Sequence, residues 1–201
     1  PVLTGVFIHT TGGALYAVAT DSYRLAEKSL MKTSQDISLL VPADAMQELL
    51  RILPETIETV AVTADSQQVL FKAGDIELVT RLIDATYPDY KKLIPKTYTT
   101  TATLPRDELV SITKVSSLFA RESAGSVTLR VDEAEGIVSI TSMASQLGEN
   151  SSKASAKVEG EGEVTLNSRY LLDALNAIGT KEVTIGFNGK LEPFVITSKE
   201  S

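Results

Sequence analysis

Apolar residues along this chain recur at two alternating periods. In three stretches they fall three and four apart: Met46, Leu49, Leu50 and Leu53; Leu109, Ile112, Val115 and Phe119; Leu171, Leu175 and Ile178. At 3.6 residues per turn this spacing gathers side chains onto one stripe. Each stretch therefore predicts an amphipathic helix with one face buried and the other in solvent. The residues just before each helix suit its opening. Pro42 and Pro105 lack the N–H that a first turn leaves unpaired, and Asn167 with Ser168 supply capping oxygens. Pro42, Pro105 and Ser168 fall 63 residues apart, so the helices mark an internal repeat.

Between the helices the pattern changes to short runs rich in β-branched residues, which predict strands over 60–63 and 69–72, 127–131 and 137–141, and 183–187 and 194–197. With a short strand ahead of each helix, the three repeats cover 37–76, 101–140 and 163–197. Asn188-Gly189 in the third reads as a tight hairpin turn. Residues 6–10 and 15–20, joined by Thr11-Gly12-Gly13-Ala14, form a further hairpin with no helix before it. It looks like the back half of a repeat. Two repeats per domain place a boundary in the polar stretch 96–100, giving domains at 1–97 and 98–201. The expected fold is α+β, with repeated strand–helix–hairpin units and helices on one face of antiparallel sheets. The polar, Gly/Ser-rich stretch 148–162 reads as a mobile loop and strand edge.

Composition narrows the chemistry. Hydrophobic residues make up 43% and charged residues 22%, as in a folded globular chain. There is no cysteine, which excludes disulfides and thiolate chemistry. The single histidine, His9, has no second His or Cys to share a metal, and it reads as a packing or surface residue. Asp65, Asp75 and Asp84 lack the spacing of a metal-binding loop. Gly12-Gly13 is not followed by the Gly-Lys-Ser/Thr of a phosphate loop. No metal and no cofactor are therefore expected. No apolar run approaches the roughly 18 residues of a membrane span, and no signal peptide opens the chain. The chain starts at Pro1 without an initiator Met, as a piece of a longer protein would. Tyr87 and Tyr90 could stack on single-stranded nucleic acid.

A net charge of −7 argues against a surface that grips nucleic acid everywhere. The charge is uneven, however. Residues 42–54 carry −1, residues 105–122 carry 0 and residues 167–181 carry +1, so the helical segments are together neutral. Arg51, Lys114, Arg121 and Arg169 are the candidate DNA-facing cations on them. Ordinary solvated charge on an amphipathic helix is the alternative for each.

Two further stretches carry a resemblance. Residues 18–28 read VATDSYRLAEK and residues 84–96 read DATYPDYKKLIPK, with Leu3-Thr4-Gly5 ahead of the first hairpin. Together, and in this order, they resemble the bacterial sliding clamps, the β subunits of DNA polymerase III, over essentially the whole chain. The resemblance implies a non-enzymatic processivity factor that closes as a homodimer ring around duplex DNA. In that ring helices line the hole and sequence-independent phosphate contacts let it slide. It implies a cytoplasmic, nucleoid-associated protein with no membrane partner. It assigns 1–97 to the middle domain without its first strand and helix, and 98–201 to the C-terminal domain without its last strand, the first domain being absent.

The same resemblance implies that DNA polymerase and clamp-loader subunits dock short linear motifs in a pocket between the two domains. Leu3, Leu25, Pro88 and Leu93 correspond to an apolar floor, and Arg24 and Lys92 to a charged rim. Thr20, Ser22, Tyr23 and Pro193 complete the pocket. Two other readings stay open. One is a peptide-binding adaptor of the same fold that does not encircle DNA. The other is a hydrolase using Ser22 or Asp21, for which the sequence offers no activating base.

Overall fold

Two prolines stand where a strand gives way to a helix, and the computed structural model shows what they do there. It describes residues 2–144 and 148–198. The chain divides into two units, Pro1–Asp89 and Tyr90–Ser201.

The first unit opens with a 3-10 turn, Val2–Thr4. It continues with β1 (Gly5–Thr11), β2 (Ala14–Thr20), β3 (Leu25–Lys32), β4 (Ser38–Pro42), α1 (Ala43–Ile52), β5 (Ala61–Ala64), β6 (Gln68–Ala73) and β7 (Ile76–Arg81). One sheet has the order β3-β2-β1-β4 and a second the order β5-β6-β7, with antiparallel neighbours throughout. Leu49 of α1 meets Ile8, Val41, Val69 and Phe71 in the core, with Met46 and Leu53 beside it.

The second unit begins with a 3-10 turn, Tyr90–Leu93, followed by β8 (Thr100–Pro105) and α2 (Arg106–Phe119). After a 3-10 turn at Ala120–Ser123 come β9 (Ser126–Asp132), β10 (Ile137–Ala144), β11 (Gly148–Ser155), β12 (Lys157–Glu159), β13 (Gly162–Asn167), α3 (Ser168–Ala177), β14 (Glu182–Phe187) and β15 (Val195–Thr197). The sheets run β11-β10-β9-β13 and β12-β8-β14-β15. A larger core lies here, with Leu109 and Ile112 of α2 and Leu171 and Leu175 of α3 packed on Leu104, Leu129, Ile140 and Ile185. Helices against antiparallel sheets, in repeated strand–helix–strand units, make this the expected α+β fold.

The helix starts follow the sequence signals with one adjustment. Pro42 and Pro105 are N-cap residues rather than first-turn residues, each also closing the strand before it. At α3 the cap is Asn167, whose Oδ1 accepts from the backbone N–H of Arg169 at 2.9 Å and of Tyr170 at 3.2 Å. The far end of α3 is closed by the start of α2. Arg106 donates from Nη1 to the carbonyls of Leu175 (3.2 Å) and Ile178 (3.1 Å), placing a cation where a helix leaves its carbonyls unpaired.

Five expectations change. The boundary falls at Asp89/Tyr90, before the polar stretch 96–100, because that stretch is tied into the second unit. Asn188 accepts at Oδ1 from the Thr99 N–H at 2.7 Å and donates from Nδ2 to the Thr97 carbonyl at 2.9 Å. For the same reason Asn188-Gly189 is no two-residue hairpin turn, and β15 starts only at Val195. Residues 148–162 form β11, β12 and the start of β13, so the strand-edge part of the expectation holds, β11 and β12 both being edge strands, and the loop part does not. The inward residues of β11 are Asn150, Ser152 and Ala154, too small and polar to register as a strand pattern. Among the stripe residues, Leu50 and Val115 are exposed, 76% and 42%. On α2 the inner face instead includes Thr113 and Ser116, which bury hydroxyls bonded to the carbonyls of Leu109 (2.6 Å) and Ile140 (3.2 Å). Finally, β3 and β7 extend the first unit's sheets beyond the repeat pattern.

Candidate functional site

The stretch Thr-Asp-Ser-Tyr-Arg-Leu at 20–25 folds as a tight turn joining β2 to β3. Asp21 organises it. Its Oδ1 accepts from the backbone N–H of Tyr23 and of Arg24, both at 3.0 Å, an Asx-type arrangement. Its Oδ2 accepts from Arg24 Nε at 3.0 Å. Thr20 Oγ1 donates to the Arg24 carbonyl at 2.7 Å, and the Asp21 N–H donates to the same carbonyl at 3.3 Å. Ser22 takes the left-handed conformation at the apex, φ +76°. Tyr23 is thereby pushed out, 83% exposed, while Leu25 turns half inward. By residue type alone Asp21 stands out only as a candidate hydrolytic group. An aspartate two and three residues ahead of the N–H groups it accepts from is the general Asx-turn signal, but the left-handed Ser22 that completes the turn here is not announced by its residue type.

Partial withdrawal from water raises the Asp21 pKa. The amides of Tyr23 and Arg24 and the Arg24 guanidinium outweigh it and hold the carboxyl below the ordinary aspartate value. A depressed folded-state pKa means that the turn keeps its full stabilisation above the unfolded aspartate pKa and loses it as pH falls through the lowered folded value. In an NMR pH titration the Tyr23 and Arg24 amides are expected to move together, with a midpoint below that of an unstructured aspartate. An ordinary midpoint would contradict the assignment.

The other candidate pocket residues are placed within their own units. Leu3 sits in the 3-10 turn before β1, 46% exposed. Since Phe7 pairs with Val18, the start of β1 runs beside the end of β2 at Thr20. Pro88 is exposed near the end of the first unit. In the second unit Lys92 and Leu93 occupy the 3-10 turn, where Lys92 is exposed and Leu93 is 61% exposed. Pro193 is exposed in the connection before β15. The chain thus joins Thr20 to Leu25 in one turn, and Lys92 to Leu93 in another.

The four candidate DNA-facing cations differ in their freedom. Arg51, in the last turn of α1, donates from Nε to Glu48 at 2.9 Å, and this pairing holds the Glu48 carboxyl below its usual range. Lys114 is exposed midway along α2, Arg121 in the 3-10 turn after it, and Arg169 on the first turn of α3.

His9 is a packing residue, 7% exposed. It stacks on Phe7 (centroids 4.6 Å) and on Tyr16 (5.9 Å), and Phe7 stacks in turn on Tyr87 (4.7 Å). Tyr87 is therefore engaged within the first unit, and Tyr90 is 3% exposed. Neither ring is presented for nucleic-acid stacking. Among the described residues there is no group of three or more His, Cys, Asp or Glu placed to hold a metal, and no helix is long and apolar enough to cross a membrane.

Residues 1–89 match the family model for the DNA polymerase III beta subunit, central domain, and residues 91–201 match that for the C-terminal domain. The chain is 32% identical over 203 residues to a beta sliding clamp of Staphylococcus aureus (strain Mu50 / ATCC 700699), covering 99% of this chain and 54% of that protein. The crystal structure of the DNA polymerase sliding clamp from Bacillus subtilis superposes with a TM-score of 0.92 at 31% identity, covering 100% of this chain and 54% of that one. The DNA polymerase III beta chain of Streptococcus pneumoniae TIGR4 gives 0.89 at 31% identity, with coverages of 100% and 54%. The chain spans about half the length of these relatives.

Proposed function

Since the chain belongs to the DNA polymerase III beta subunit family, we propose that it supplies the central and C-terminal domains of a sliding clamp, a non-enzymatic processivity factor for the replicative polymerase. The observation that carries the reading is the order of the two family matches, one on each unit. The full protein closes as a homodimer around duplex DNA in the bacterial cytoplasm, at the nucleoid. It is held by topology, with sequence-independent phosphate contacts that permit sliding.

The second activity is docking of polymerase and clamp-loader peptides. Arg24 and Leu25 of the first unit and Lys92 and Leu93 of the second are the principal docking residues. Leu3, Thr20, Ser22, Tyr23, Pro88 and Pro193 complete the set. Two features support it. The Asp21 bonds fix the Arg24 backbone and guanidinium in advance, which lowers the ordering cost of a bound peptide. Leu3 and Leu93 stay exposed although they are large and apolar. The hydrolase reading finds no support here, since the Asp21 carboxylate is occupied by three donors of its own turn.

A fluorescent peptide of the Gln-Leu-x-Leu-Phe type, the kind of linear motif that the family resemblance implies as ligand, is expected to bind saturably, and the Arg24→Ala, Leu93→Ala double variant to bind it at least about 10-fold more weakly, as loss of two anchor contacts implies. Equal binding by the double variant, or no saturable binding by the parent chain, would remove the docking claim.

A further inference from the structure

We propose that Asn188 is a positioning residue for peptide docking. Its side-chain amide fastens the loop that carries Pro193 to the segment that carries Lys92 and Leu93, so that a peptide meets both as one surface. The inference rests on the docking reading above and adds to it a residue outside the docking set. Both segments belong to the second unit. Three residues, one of them Pro95, separate Leu93 from Thr97, and four separate Asn188 from Pro193. A bond between Asn188 and Thr97 therefore ties the two docking positions through short lengths of chain, the first stiffened by a ring that fixes φ.

The tie is built as an extension of a sheet. β8 and β14 pair as far as Thr100 opposite Phe187. One step further, the Asn188 side chain stands in for a strand. Its Oδ1 accepts from the Thr99 N–H at 2.7 Å, and its Nδ2 donates to the Thr97 carbonyl at 2.9 Å. A carboxamide offers an acceptor and a donor side by side, as a peptide group does. Between these two bonds Tyr98 lies against β14, since a Cβ on Gly186 would come within 2.7 Å of its ring. Beyond Asn188 the loop is held by other means. The Glu192 N–H donates to the Gly189 carbonyl at 3.3 Å, Lys190 pairs with Glu163 at 2.6 Å, and the Phe194 ring lies on Phe187 with centroids 5.9 Å apart. These contacts shape the loop and hold it to β13 and β14. The Asn188 amide binds it to the 97–99 segment.

Two anchors held rigidly to one another share one ordering cost. A peptide that has reached the first finds the second at high effective concentration. That gain disappears when either anchor is removed, and it disappears only once. Losses at Leu93 and Pro193 are therefore expected to be non-additive, and Asn188 is the residue that makes them so.

The full chain is titrated with the fluorescent Gln-Leu-x-Leu-Phe peptide in the parent, in Leu93→Ala, in Pro193→Ala and in the double variant. In the parent background the double loss is expected to fall about 3- to 5-fold short of the product of the single losses, as the net strength of one hydrogen bond implies. With Asn188→Ala added, the losses are expected to multiply, and Asn188→Ala by itself to bind about 3- to 5-fold more weakly. Asn188→Asp has the shape of the amide but sets a carboxylate oxygen against the Thr97 carbonyl, and it is expected to match Asn188→Ala. Ile140→Val, a core change outside both segments with a comparable effect on stability, is expected to leave the shortfall in place. The role of Asn188 is overturned, with the docking reading left standing, by losses that already multiply in the parent background or by a shortfall that survives Asn188→Ala. It is overturned equally by a shortfall that vanishes in Ile140→Val as well, or by an Asn188→Asp variant that binds as the parent does. Absence of saturable peptide binding by the parent chain removes the docking reading and this inference with it.

Discussion

Gly160→Ala is expected to destabilise the second unit by about 3 kcal/mol. Gly160 links β12 to β13 with φ +74°, in the left-handed region. A side chain there costs about 1–2 kcal/mol from backbone sterics alone. The added Cβ would also collide with the Thr99 carbonyl oxygen and lie 3.3 Å from its carbon. Neither side can withdraw cheaply. The Thr99 N–H is held by Asn188 at 2.7 Å, and the Gly160 N–H donates to Glu133 Oε1 at 3.1 Å. The forced backbone shift adds about 1–3 kcal/mol, as overpacking does. Urea unfolding checks this through a lower midpoint at unchanged slope. A midpoint equal to that of the parent chain would mean that the 97–100 segment is not anchored as described.

Leu129→Ala is expected to cost about as much, roughly 3–4 kcal/mol, by a different route. Leu129 is fully buried in β9, opposite Ile140 of β10 on one side and Val164 of β13 on the other. Its removal leaves a cavity in the middle of a four-stranded sheet, where rigid neighbours on both flanks limit collapse. Since the two units have separate cores, the loss is expected to fall on the second unit alone. Hydrogen exchange read peptide by peptide distinguishes the units. Equal acceleration in β1, β2 and β6 would show that they unfold as one body.

The repeat was legible because helices with an apolar stripe and a defined opening recur at near-constant spacing. What escaped was structure made by backbone pairing rather than by apolar side chains. β11 turns Asn150, Ser152 and Ala154 inward, and the bonds to β10 hold it in the sheet. The buried face of α2 lies one step from its apolar stripe, because Thr113 and Ser116 bury hydroxyls that bond to carbonyls and so behave as core residues. Leu50 and Val115 look like core residues by type and are not. In the site, the 20–25 motif was visible as a run of letters, but the work of Asp21 was not. That role depends on a left-handed Ser22, which no residue type at that position announces. Asn188 illustrates the same limit. Asn-Gly has the residue types of a local hairpin turn, yet the Asn188 amide acts across the chain on Thr97 and Thr99 and β15 starts only at Val195.

The passage from β11 to β12 has a consequence for how the second unit comes apart. Only Ala156 separates the two strands, yet β11 closes the edge of one sheet and β12 the edge of the other. The chain then returns to the first sheet as β13. The Ala156 N–H is itself held by the Gly136 carbonyl at 2.9 Å, where β9 turns toward β10. A strand edge is ordinarily where a sheet frays, but here fraying of either edge pulls on the other. Opening fluctuations short of global unfolding are therefore suppressed on this side, and the two sheets behave as a single cooperative foldon.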